Sequence, residues 1–555
     1  MRTHPVGRVG RVLLSAPALI ALSLLPVLAQ AQLLKPLPHA AGHPPGAIHP
    51  LAALAAPAGG KGSGGPGAAT GTWTPLTNQI SLFDGIGNPI LLSDGSVLVQ
   101  DAGYNDWYRL TPDQNGSYVN GTWTQIALAP YNPLYHSTEV LPDGRMVIEG
   151  GEYLCTGFGD PTTAACNPVW TNLGAIYDPV ANAWTSIAPP DGWTTIGDAQ
   201  SIVLPDGTYM QANCCTNQSA LLNPRTLTWT PTGAGKFDPN DEEGWTLLPN
   251  DEVLVVDAYV PIPPFPYIPT GTNSEVYSPW SGMWSSAGST SVQLWDSAAA
   301  CGGENVATFE LGPGVLRPDG TVFYEGANSC GPGNTAIYDS RRGKWRPGPQ
   351  FPGENDAADA PAALEPNGNV LTMVSPGFGD VPSTFLEWDG HKLSAAQATP
   401  NAANDPSYFG NMLVLPTGQI MLTDFSNDIE IYTPVGGPRP DWRPVVVFTS
   451  PVLAPGHSYS LAGIRMGGMS QGAAYGDDAQ GNSNFPLVRI TNLRTGHVFY
   501  GRTHDFSVAV ASNAISWTRF EVPAGQEPGL SQLQVVASGI ASSPVTVLVL
   551  GGFGH

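Results

Sequence analysis

Six cysteines carry the most constrained chemistry in this sequence, because a thiol can form a disulfide or bind a metal. An even number of cysteines favours disulfides in a chain that leaves the reducing cytosol. Six cysteines allow fifteen pairings, so the connectivity stays open. A zinc site is the alternative, and the missing CxxC spacing argues against it. The candidate bridges are Cys155–Cys166, Cys301–Cys330 and the adjacent pair Cys214–Cys215.

A second group of residues has the oxygen donors that hard cations prefer. Asp477, Asp478, Asn482 and Asn484 lie within one short segment. Their spacing does not match an EF-hand loop, so a polar loop is the simpler interpretation. The sequence contains no GxSxG, no HExxH and no phosphate-binding glycine loop, and hydrolase functions therefore lack support.

The N-terminus has the pattern of a cleaved secretory leader. Three arginines precede an apolar run over 12–28, and Ala-Gln-Ala at 29–31 is a small-x-small cleavage signature. Serines and prolines interrupt the run, which argues against a membrane anchor, and no later stretch is long and apolar enough to span. We expect residues 1–31 to be a signal peptide and 32–70, rich in Ala, Pro and Gly, to be a flexible linker.

Charge and composition restrict the class of protein and its partners. The formal net charge is −23, and removing the leader's arginines makes it more negative. Because such a field repels phosphate, nucleic acid and anionic membrane surfaces are poor partners. With 66 Gly, 55 Pro and 12% charged residues, the composition indicates a turn-rich β protein. We expect a monomer that is secreted, either to the extracellular space or to the cell envelope.

A tight-turn motif recurs seven times through the middle of the chain. Asp-Gly and Asn-Gly between apolar runs favour hairpins, because Gly accepts the positive φ that such turns require. Each copy, with its flanking apolar runs, predicts a small antiparallel meander, and the spacing is near the kelch period of about 50 residues. The copies are LSDG at Gly95, LPDG at Gly144 and Gly207, LPND at Asp251, RPDG at Gly320, EPNG at Gly368 and LPTG at Gly418.

Tryptophans recur with the turns and predict how the meanders pack. A lone four-stranded sheet cannot bury both faces, so repeated sheets must stack, and radial closure removes exposed edges. Trp73 has no hairpin before it and predicts an N-terminal strand that helps to close the ring. The other predicted blade tryptophans are Trp123, Trp184, Trp229, Trp284, Trp345, Trp388 and Trp442. The sequence thus predicts an all-β fold with a seven-bladed kelch-type β-propeller over 71–444.

The repeat stops after about residue 445, where short apolar strands alternate with turn residues. This pattern predicts an immunoglobulin-like β-sandwich over 445–555, a usual domain size. The Asp- and Asn-rich segment described above belongs to this region. We expect it to be a loop of the sandwich that caps the propeller.

Seven kelch-like units followed by a small β-sandwich resemble galactose oxidase and its relatives, the glyoxal oxidases, over most of residues 72–550. In that family, two tyrosines and two histidines hold one copper ion, and one tyrosine is cross-linked to a cysteine beneath an aromatic ring. The tyrosine radical and the copper oxidise a primary alcohol or aldehyde and reduce dioxygen. The resemblance implies a copper-radical site in this chain.

The resemblance assigns that site to particular residues. The segment YHSTEVLPDGRMVIEGGEY resembles the one that bears the cross-linked tyrosine, which gives this role to Tyr135 and the stacking role to Tyr153. SYFGNMLVLPTGQIM resembles the last-blade segment and gives Tyr408 as the second tyrosine. GRTHDFS resembles the loop that supplies a histidine and gives His504. His136 is a substitute ligand, although adjacent residues of a strand face opposite sides.

Two departures from the family pattern weaken this implied site. Phe409 stands where the family has a histidine beside the tyrosine, and Asp84 follows Phe83 where the family has Phe-Cys. Without sulfur there is no thioether to lower the oxidation potential of the tyrosine. A phenyl ring offers no lone pair, so copper loses an imidazole ligand that suits it.

Three functions are consistent with these observations. Loss of radical chemistry favours a non-catalytic module, without a cofactor, that binds carbohydrate or another exported protein on the propeller's axial face. The alternative is a copper-dependent oxidase that uses Tyr135, Tyr408, His504 and His136 and forms hydrogen peroxide from alcohols or aldehydes. A third function is a scaffold held near the cell surface by the linker. Whether the protein is an enzyme stays open at this point.

Overall fold

The computed structural model describes residues 71–160, 162–261, 265, 270–297, 308–475 and 480–551, and these fold as a β-propeller followed by a β-sandwich. The predicted all-β fold class is confirmed. The predicted signal peptide, the linker, Cys301, Asp477 and Asp478 lie outside the described residues. Within the described ranges, no helix is long and apolar enough to cross a membrane.

The propeller contains seven antiparallel sheets, here called blades and numbered along the chain, in the part of the chain that the structure describes. The first strands are β1 (Thr72–Pro75), β2 (Ile90–Leu91), β3 (Val97–Gln100), β4 (Trp107–Thr111), β5 (Thr122–Gln125), β6 (Pro133–Leu134), β7 (Ser137–Val140), β8 (Met146–Glu149), β9 (Tyr153–Thr156), β10 (Ala165–Pro168), β11 (Gly174–Asp178) and β12 (Ala183–Ile187). Strands β2 to β5 form blade 1, and β7, β8, β11 and β12 form blade 2. Strands β6, β9 and β10 form a small inserted sheet.

Blades 3 to 5 follow in simple succession, with four consecutive strands in each. Their strands are β13 (Ser201–Val203), β14 (Tyr209–Ala212), β15 (Ser219–Asn223), β16 (Thr228–Thr232), β17 (Thr246–Leu247), β18 (Val253–Val256), β19 (Ser274–Ser278), β20 (Met283–Ser286), β21 (Gly314–Leu316), β22 (Thr321–Glu325), β23 (Thr335–Asp339) and β24 (Lys344–Pro347). Blade 6 contains β25 (Pro361–Leu364), β26 (Val370–Val374), β27 (Thr384–Trp388) and β28 (Leu393–Ala395).

Blade 7 is assembled from both ends of the propeller sequence. A short 3-10 helix (Ser407–Phe409) precedes β29 (Asn411–Val414), β30 (Ile420–Thr423) and β31 (Glu430–Thr433), and β1 pairs with β31 as the fourth strand. The antiparallel register runs from Thr72 opposite Thr433 to Pro75 opposite Glu430. The prediction that an N-terminal strand around Trp73 closes the ring is therefore confirmed.

All seven predicted turns join the first and second strands of a blade. Their left-handed residues have φ between +71° at Asp251 and +93° at Gly368, as the turn motif requires. Six of the seven are glycines, and Asp251 is the exception among them. The turn spacing in the sequence thus predicted the blade spacing.

Several outer-strand tryptophans fasten neighbouring blades together. The Trp184 indole N–H donates to the backbone oxygen of Ala127 at 2.8 Å, and the Trp229 indole donates to that of Ala188 at 2.7 Å. Each acceptor lies just beyond the outer strand of the preceding blade. Trp73 takes this position in blade 7 and donates to the backbone oxygen of Gln397 at 2.7 Å.

Two tryptophan predictions need correction. Trp442 was expected in the seventh unit, but it lies in a short 3-10 helix (Pro440–Trp442) after the last blade, because β1 already supplies the outer strand there. Trp388 lies on the third strand of blade 6, where its ring stacks on Phe323 with centroids 4.9 Å apart. Both residues still bury or cover apolar surface, but not at the repeat position.

The C-terminal region forms a β-sandwich. Strand β37 pairs with both β38 and β36 and so joins the two faces around Leu461, Phe520 and Leu533, which are fully buried. The strands are β32 (Val445–Thr449), β33 (Val452–Leu453), β34 (Ser458–Ile464), β35 (Ala473–Tyr475), β36 (Leu487–Asn492), β37 (Val498–His504), β38 (Ser516–Glu521), β39 (Gly529–Ala537), β40 (Ile540–Ala541) and β41 (Val545–Val549).

One strand of this region leaves the sandwich and joins the propeller. Strand β35 pairs with β25 and becomes the fifth strand of blade 6, with Ala474 opposite Ala362. Its flanking residues reach other blades, since Gln471 Oε1 accepts from the backbone N–H of Leu247 at 2.7 Å and Gln480 Nε2 donates to Ser201 O at 3.0 Å. We call the described residues 470–475 and 480–485 the crossing segment.

Two of the candidate disulfides are present. Cys155 is bonded to Cys166 within the inserted sheet, and Cys214 is bonded to its neighbour Cys215. Cys330 is also disulfide-bonded. The predicted pairing of Cys330 with Cys301 involves a residue outside the described ranges.

Ring closure through β1 predicts the effect of Trp73→Ala. The Trp73 ring contacts Phe385 and Tyr432 at 5.2 and 4.9 Å between centroids, and its indole hydrogen bond would also be lost. We expect the free energy of unfolding to fall by about 2–4 kcal/mol. Urea unfolding followed by circular dichroism measures this. Trp280→Ala is the matched control, because Trp280 is 88% exposed and its loss should change stability by less than about 0.5 kcal/mol.

Candidate functional site at the propeller hub

The residues that precede the inner strands converge at one end of the propeller axis. The inner strands of successive blades lie side by side, with β17 beside β21, β21 beside β25 and β25 beside β29. Equivalent ends of the inner strands therefore meet around the axis. Glu242, Glu310, Asp359 and Tyr408 each lie two to four residues before an inner strand of blades 4 to 7. We call this end of the axis the hub.

Three carboxylates come together at the hub. One oxygen each from Glu242, Glu310 and Asp359 lies within 4.8 Å of the others. The side chains are almost fully buried, at 5%, 2% and 1% exposure respectively. Glu310 Oε2 has no hydrogen-bond partner among the described residues. A buried carboxylate without compensation is costly, so this arrangement suits a bound cation.

Burial and neighbouring charges both raise the pKa of the central member of this triad, Glu310. Burial raises the pKa of Glu310 well above its ordinary value, and the charges of Asp359 and Glu242 raise it further. Two tyrosines border the triad. The pKa of Tyr408 is raised by burial and by the charge of Asp359, and that of Tyr153 by burial and by acidic neighbours that include Glu242.

A second acidic cluster has a cation of its own. Lys236 is buried among Asp238, Glu243, Asp257 and Glu275, and its Nζ lies 3.2 Å from Glu243 Oε2 and 3.3 Å from Glu275 Oε2. These charges hold the pKa of Lys236 well above its ordinary value against the opposing effect of burial. This cluster is therefore an internal ion network in which Lys236 already compensates part of the negative charge. Glu310 differs from this cluster, because the charged groups that shift its pKa are the carboxylates of Asp359 and Glu242.

A third group with metal-ligand spacing contains sulfur. Asp241 lies near Cys214 and Cys215, with its Oδ1 3.7 Å from the Cys214 sulfur. Because both sulfurs are in a disulfide, neither is a thiolate that could bind a metal. Among the described cysteines none is a free thiol. Within the described ranges, no cysteine sulfur is available for a cross-link to Tyr135.

The two tyrosines predicted as copper ligands both lie at the hub, but phenylalanines link them. Ring contacts run from Tyr135 to Phe425 at 6.0 Å, from Phe425 to Phe409 at 5.7 Å and from Phe409 to Tyr408 at 4.5 Å. Tyr153 contacts Tyr135 edge to face at 6.0 Å, so it is near the residue that it was predicted to stack on. Phe425 and Phe409 therefore lie between the two tyrosines, and neither can supply the nitrogen ligand that the implied copper site needs.

Hydrogen bonds within the protein fix the orientation of His136. Gln100 Nε2 donates to two backbone oxygens, which turns its Oε1 towards His136 Nε2 at 3.1 Å. Nδ1 lies 3.1 Å from the Thr138 hydroxyl and 3.3 Å from the backbone oxygen of Ser137. Burial lowers the pKa of His136 to about 4, so the ring is neutral at pH 7. Both ring nitrogens have hydrogen-bond partners in the protein, and the assignment of His136 as a substitute ligand stays a prediction.

The structure does not bring His504 together with the two tyrosines. It ends β37 of the sandwich, where Nδ1 lies 3.0 Å from Asp505 Oδ2 and Nε2 lies 3.4 Å from Ser458 Oγ. Phe506, two residues on, bonds the backbone oxygen of Pro142 in the turn after β7. Tyr135 precedes β7, so the length of the inner strand, about 13 Å, separates the two ends. The two residues cannot share one ion.

The part of the C-terminal region that reaches the hub is the crossing segment. The strand that bears His504 does not reach it. The Tyr475 hydroxyl donates to the backbone oxygen of Tyr408 at 3.1 Å, and Tyr475 lines a cavity of about 20 Å³ with Tyr135, His136 and Phe425. The prediction that Asn482 and Asn484 belong to a loop against the propeller fits this placement. Asn482 Nδ2 donates to Asn484 Oδ1 at 3.2 Å.

Asp84 stands where the resemblance places the cross-linking cysteine. The backbone N–H groups of Phe83 and Asp84 donate to the two carboxylate oxygens of Asp101 at 2.9 and 2.8 Å. Burial raises the pKa of Asp84 to about 6. The residue therefore belongs to a carboxyl pair of blade 1 and adds negative charge to this end of the propeller.

Comparisons with known proteins add little beyond the fold. No family model and no curated protein matches the chain. Among solved structures, a fungal alcohol oxidase of the AA5 family in complex with copper is 14% identical, with a TM-score of 0.45, covering 87% of this chain and 100% of its own. A streptogramin B lyase structure is 9% identical, with a TM-score of 0.41, covering 66% of this chain and 98% of its own.

An extracellular domain of the putative hybrid two-component system BT4673 from B. thetaiotaomicron is 10% identical, with a TM-score of 0.42. That match covers 87% of this chain and 60% of the other. Fold similarity does not establish function, so function has to be argued from the residues of the site.

The sequence did not reveal the carboxylate triad. Its members lie in DEEGW, FELGPG and AADAP, which share no motif. The signal that was available is positional, since an acidic residue stands shortly before the inner strand of three successive blades. That signal can be recognised only after the strand boundaries are known.

Burial of the triad gives a pH-dependent prediction for the metal-free protein. Because the folded pKa of Glu310 is raised, its contribution to stability is present below about pH 4.5 and is lost as the pH rises through the folded value. Glu310→Gln removes this ionisation. We expect the variant in chelator to be more stable than the parent protein at pH 8 by at least about 1 kcal/mol, and to lose this advantage at pH 5.

Chemical unfolding at the two pH values measures the difference. Asp191→Asn is the control, because Asp191 is exposed and the change should stay within about 0.5 kcal/mol at both. A Glu310→Gln advantage that is larger at pH 5 than at pH 8 would contradict the assignment of charge repulsion at the hub.

Proposed function

We propose that this chain is an exported, non-catalytic binding propeller whose hub holds a hard divalent cation in place of a redox-active copper. The observation that carries the proposal is the convergence of Glu242, Glu310 and Asp359 within 4.8 Å in a buried setting. The ligand class of such a module is carbohydrate or another exported protein. The disulfides fit an oxidising compartment.

The spacing of the triad fits one shared ion. Oxygens on opposite sides of a calcium ion, each at about 2.4 Å, lie about 4.8 Å apart, so three oxygens within that distance can belong to one coordination sphere. The unpartnered Glu310 Oε2, on a side chain that is 98% buried, supplies an acceptor that a cation would satisfy. Neutralising the charge would also remove the repulsion that raises the pKa of Glu310.

The donor types favour calcium, magnesium or manganese over copper. The triad offers only carboxylate oxygens, which are the ligands of hard cations, whereas copper prefers sites with imidazole. His136 and His504 both have hydrogen-bond partners in the protein, and Phe409 stands where the family has a histidine beside the tyrosine. One-electron chemistry would further require the missing thioether.

A copper-dependent oxidase is the second candidate, and one observation favours it. Tyr135 and Tyr408 both reach the hub and are joined by three ring contacts through Phe425 and Phe409. Carboxylates would then have to replace the imidazoles. Peroxide formation from primary alcohols or aldehydes by the copper-loaded protein distinguishes this candidate from the first.

Metal binding by the chelated mature protein tests the proposal. Isothermal titration with Ca²⁺, Mg²⁺, Mn²⁺ and Cu²⁺ should give one site for a hard cation. We expect Glu310→Gln to weaken that site at least about tenfold, because it removes a charged oxygen ligand. Glu325→Gln is the matched control, since Glu325 is equally buried but accepts from the Thr372 hydroxyl at 2.6 Å and is not part of the triad.

Three results would overturn the proposal. They are the absence of any hard-cation site, an equal loss of affinity in the Glu325→Gln control, and stoichiometric copper with peroxide formed from simple alcohols. The last result would favour the oxidase.

A further inference from the structure

A groove lies where the turn end of the propeller meets the sandwich, away from the hub. It has a volume of about 660 Å³ and is lined by the turns of blades 2 and 3 and by residues around β37 and β38. This volume is within the range of about 300–1,000 Å³ that is usual for small-molecule sites. Because the lining comes from tight turns and sheet ends, the walls are rigid.

The apolar part of the lining is flat. Trp517 presents 62% of its surface to solvent, while Phe506 beside it is 5% exposed. The backbone around Trp517 is fixed, because Ser507 N–H donates to Trp517 O at 3.0 Å. Pro205 and Pro224 add the faces of two rings. Flat rings without a deep apolar hole suit stacking on a ring-shaped ligand more than insertion of an aliphatic side chain.

The polar part of the lining consists of planar hydrogen-bonding groups. Asp206, Asn223, Arg225 and Asp505 are all exposed along the groove. Two of them are held in place by their own turns. Asp206 Oδ1 accepts from Thr208 N–H at 2.9 Å, and Asn223 Oδ1 accepts from Arg225 N–H at 2.9 Å.

These bonds orient the side chains before any ligand arrives. Asp206 Oδ2 and the Asn223 amide hydrogens take no part in them. Such preorganisation lowers the entropy lost on binding. Carboxylate groups accept hydrogen bonds, guanidinium groups donate them, and amides do both. Together they can bind two adjacent hydroxyl groups of a ligand.

The negative charge of the groove favours neutral ring-shaped ligands over anionic ones. The lining contains the carboxylates of Asp143, Asp206 and Asp505 and the guanidinium of Arg225. Asp143 is paired with Arg145 at 2.6 Å, so Asp206 and Asp505 outnumber the one lining arginine, and the whole chain carries a formal charge of −23. A polysaccharide with carboxylates or sulfates would be repelled. Neutral sugars, which combine an apolar ring face with many hydroxyls, meet both the aromatic surface and the polar groups.

We propose that this groove is a binding site for a neutral saccharide chain, with Trp517 as the stacking surface and Asp206, Asn223, Arg225 and Asp505 as hydrogen-bonding partners. The inference rests on the proposed non-catalytic binding role and names its ligand class. It does not depend on the hub cation.

Calorimetric titration of the mature protein with neutral hexasaccharides tests the inference. The probes are chains of β-1,4-linked glucose, xylose and mannose and of α-1,4-linked glucose, with an oligogalacturonate as the charged counterpart. We expect at least one neutral chain to bind and the galacturonate not to bind. Trp517→Ala should weaken binding about tenfold or more, and Asp206→Asn several-fold.

Trp280→Ala is the matched control, because Trp280 is a more exposed tryptophan on the outer hairpin of blade 4, and its loss should leave affinity within about twofold. Glu310→Gln separates the two proposals, since it should weaken the cation site and leave saccharide affinity within about twofold. No binding to any neutral chain at millimolar concentration would overturn the inference. Binding that survives Trp517→Ala would also overturn it.

Discussion

The four-residue pairing of Thr72–Pro75 with Glu430–Thr433 is the constraint on which the rest of the propeller depends. Each blade buries its faces only against its neighbours, so an open array would leave the faces of its first and last sheets in water. A strand from the beginning of the repeat region, laid on a sheet from its end, removes that exposure. The indole hydrogen bonds of Trp73, Trp184 and Trp229 repeat the same fastening between successive blades.

Closure also explains why charged groups are forced together at the hub. Inner strands that meet around an axis bring their preceding residues into a small space, whatever those residues are. In blade 4 the protein balances this crowding with its own cation, Lys236. Around Glu310, burial, the charges of Asp359 and Glu242 and hydrogen bonds with these two carboxyl groups all raise the pKa, and a bound cation would relieve the repulsion. Local destabilisation of this kind is common at functional sites.

The sequence predicted the fold well because its turn residues carry backbone information. Positive φ at six glycines and Asp251 marks the same position in every blade, and no tertiary contact is needed to recognise it. Trp442 was misplaced because a tryptophan at repeat spacing does not reveal that another strand already fills the outer edge. The N-terminal strand around Trp73 was recognised because it lacked a hairpin of its own.

The site was less predictable because it depends on convergence between distant segments. His504 lay in a suggestive Thr-His pair, yet the direction of β37 places it at the turn end. His136 is adjacent to Tyr135, but its ring nitrogens already have hydrogen-bond partners in Gln100, Ser137 and Thr138. Glu242, Glu310 and Asp359 become neighbours only once blades 4, 5 and 6 stand side by side.

The crossing segment makes the order of assembly matter. Blade 6 acquires its fifth strand, and blades 3 and 4 their contacts with Gln480 and Gln471, only when residues 470–485 have emerged from the ribosome. A chain that ended before residue 470 would therefore leave β25 without its edge partner and the hub without the hydroxyl of Tyr475.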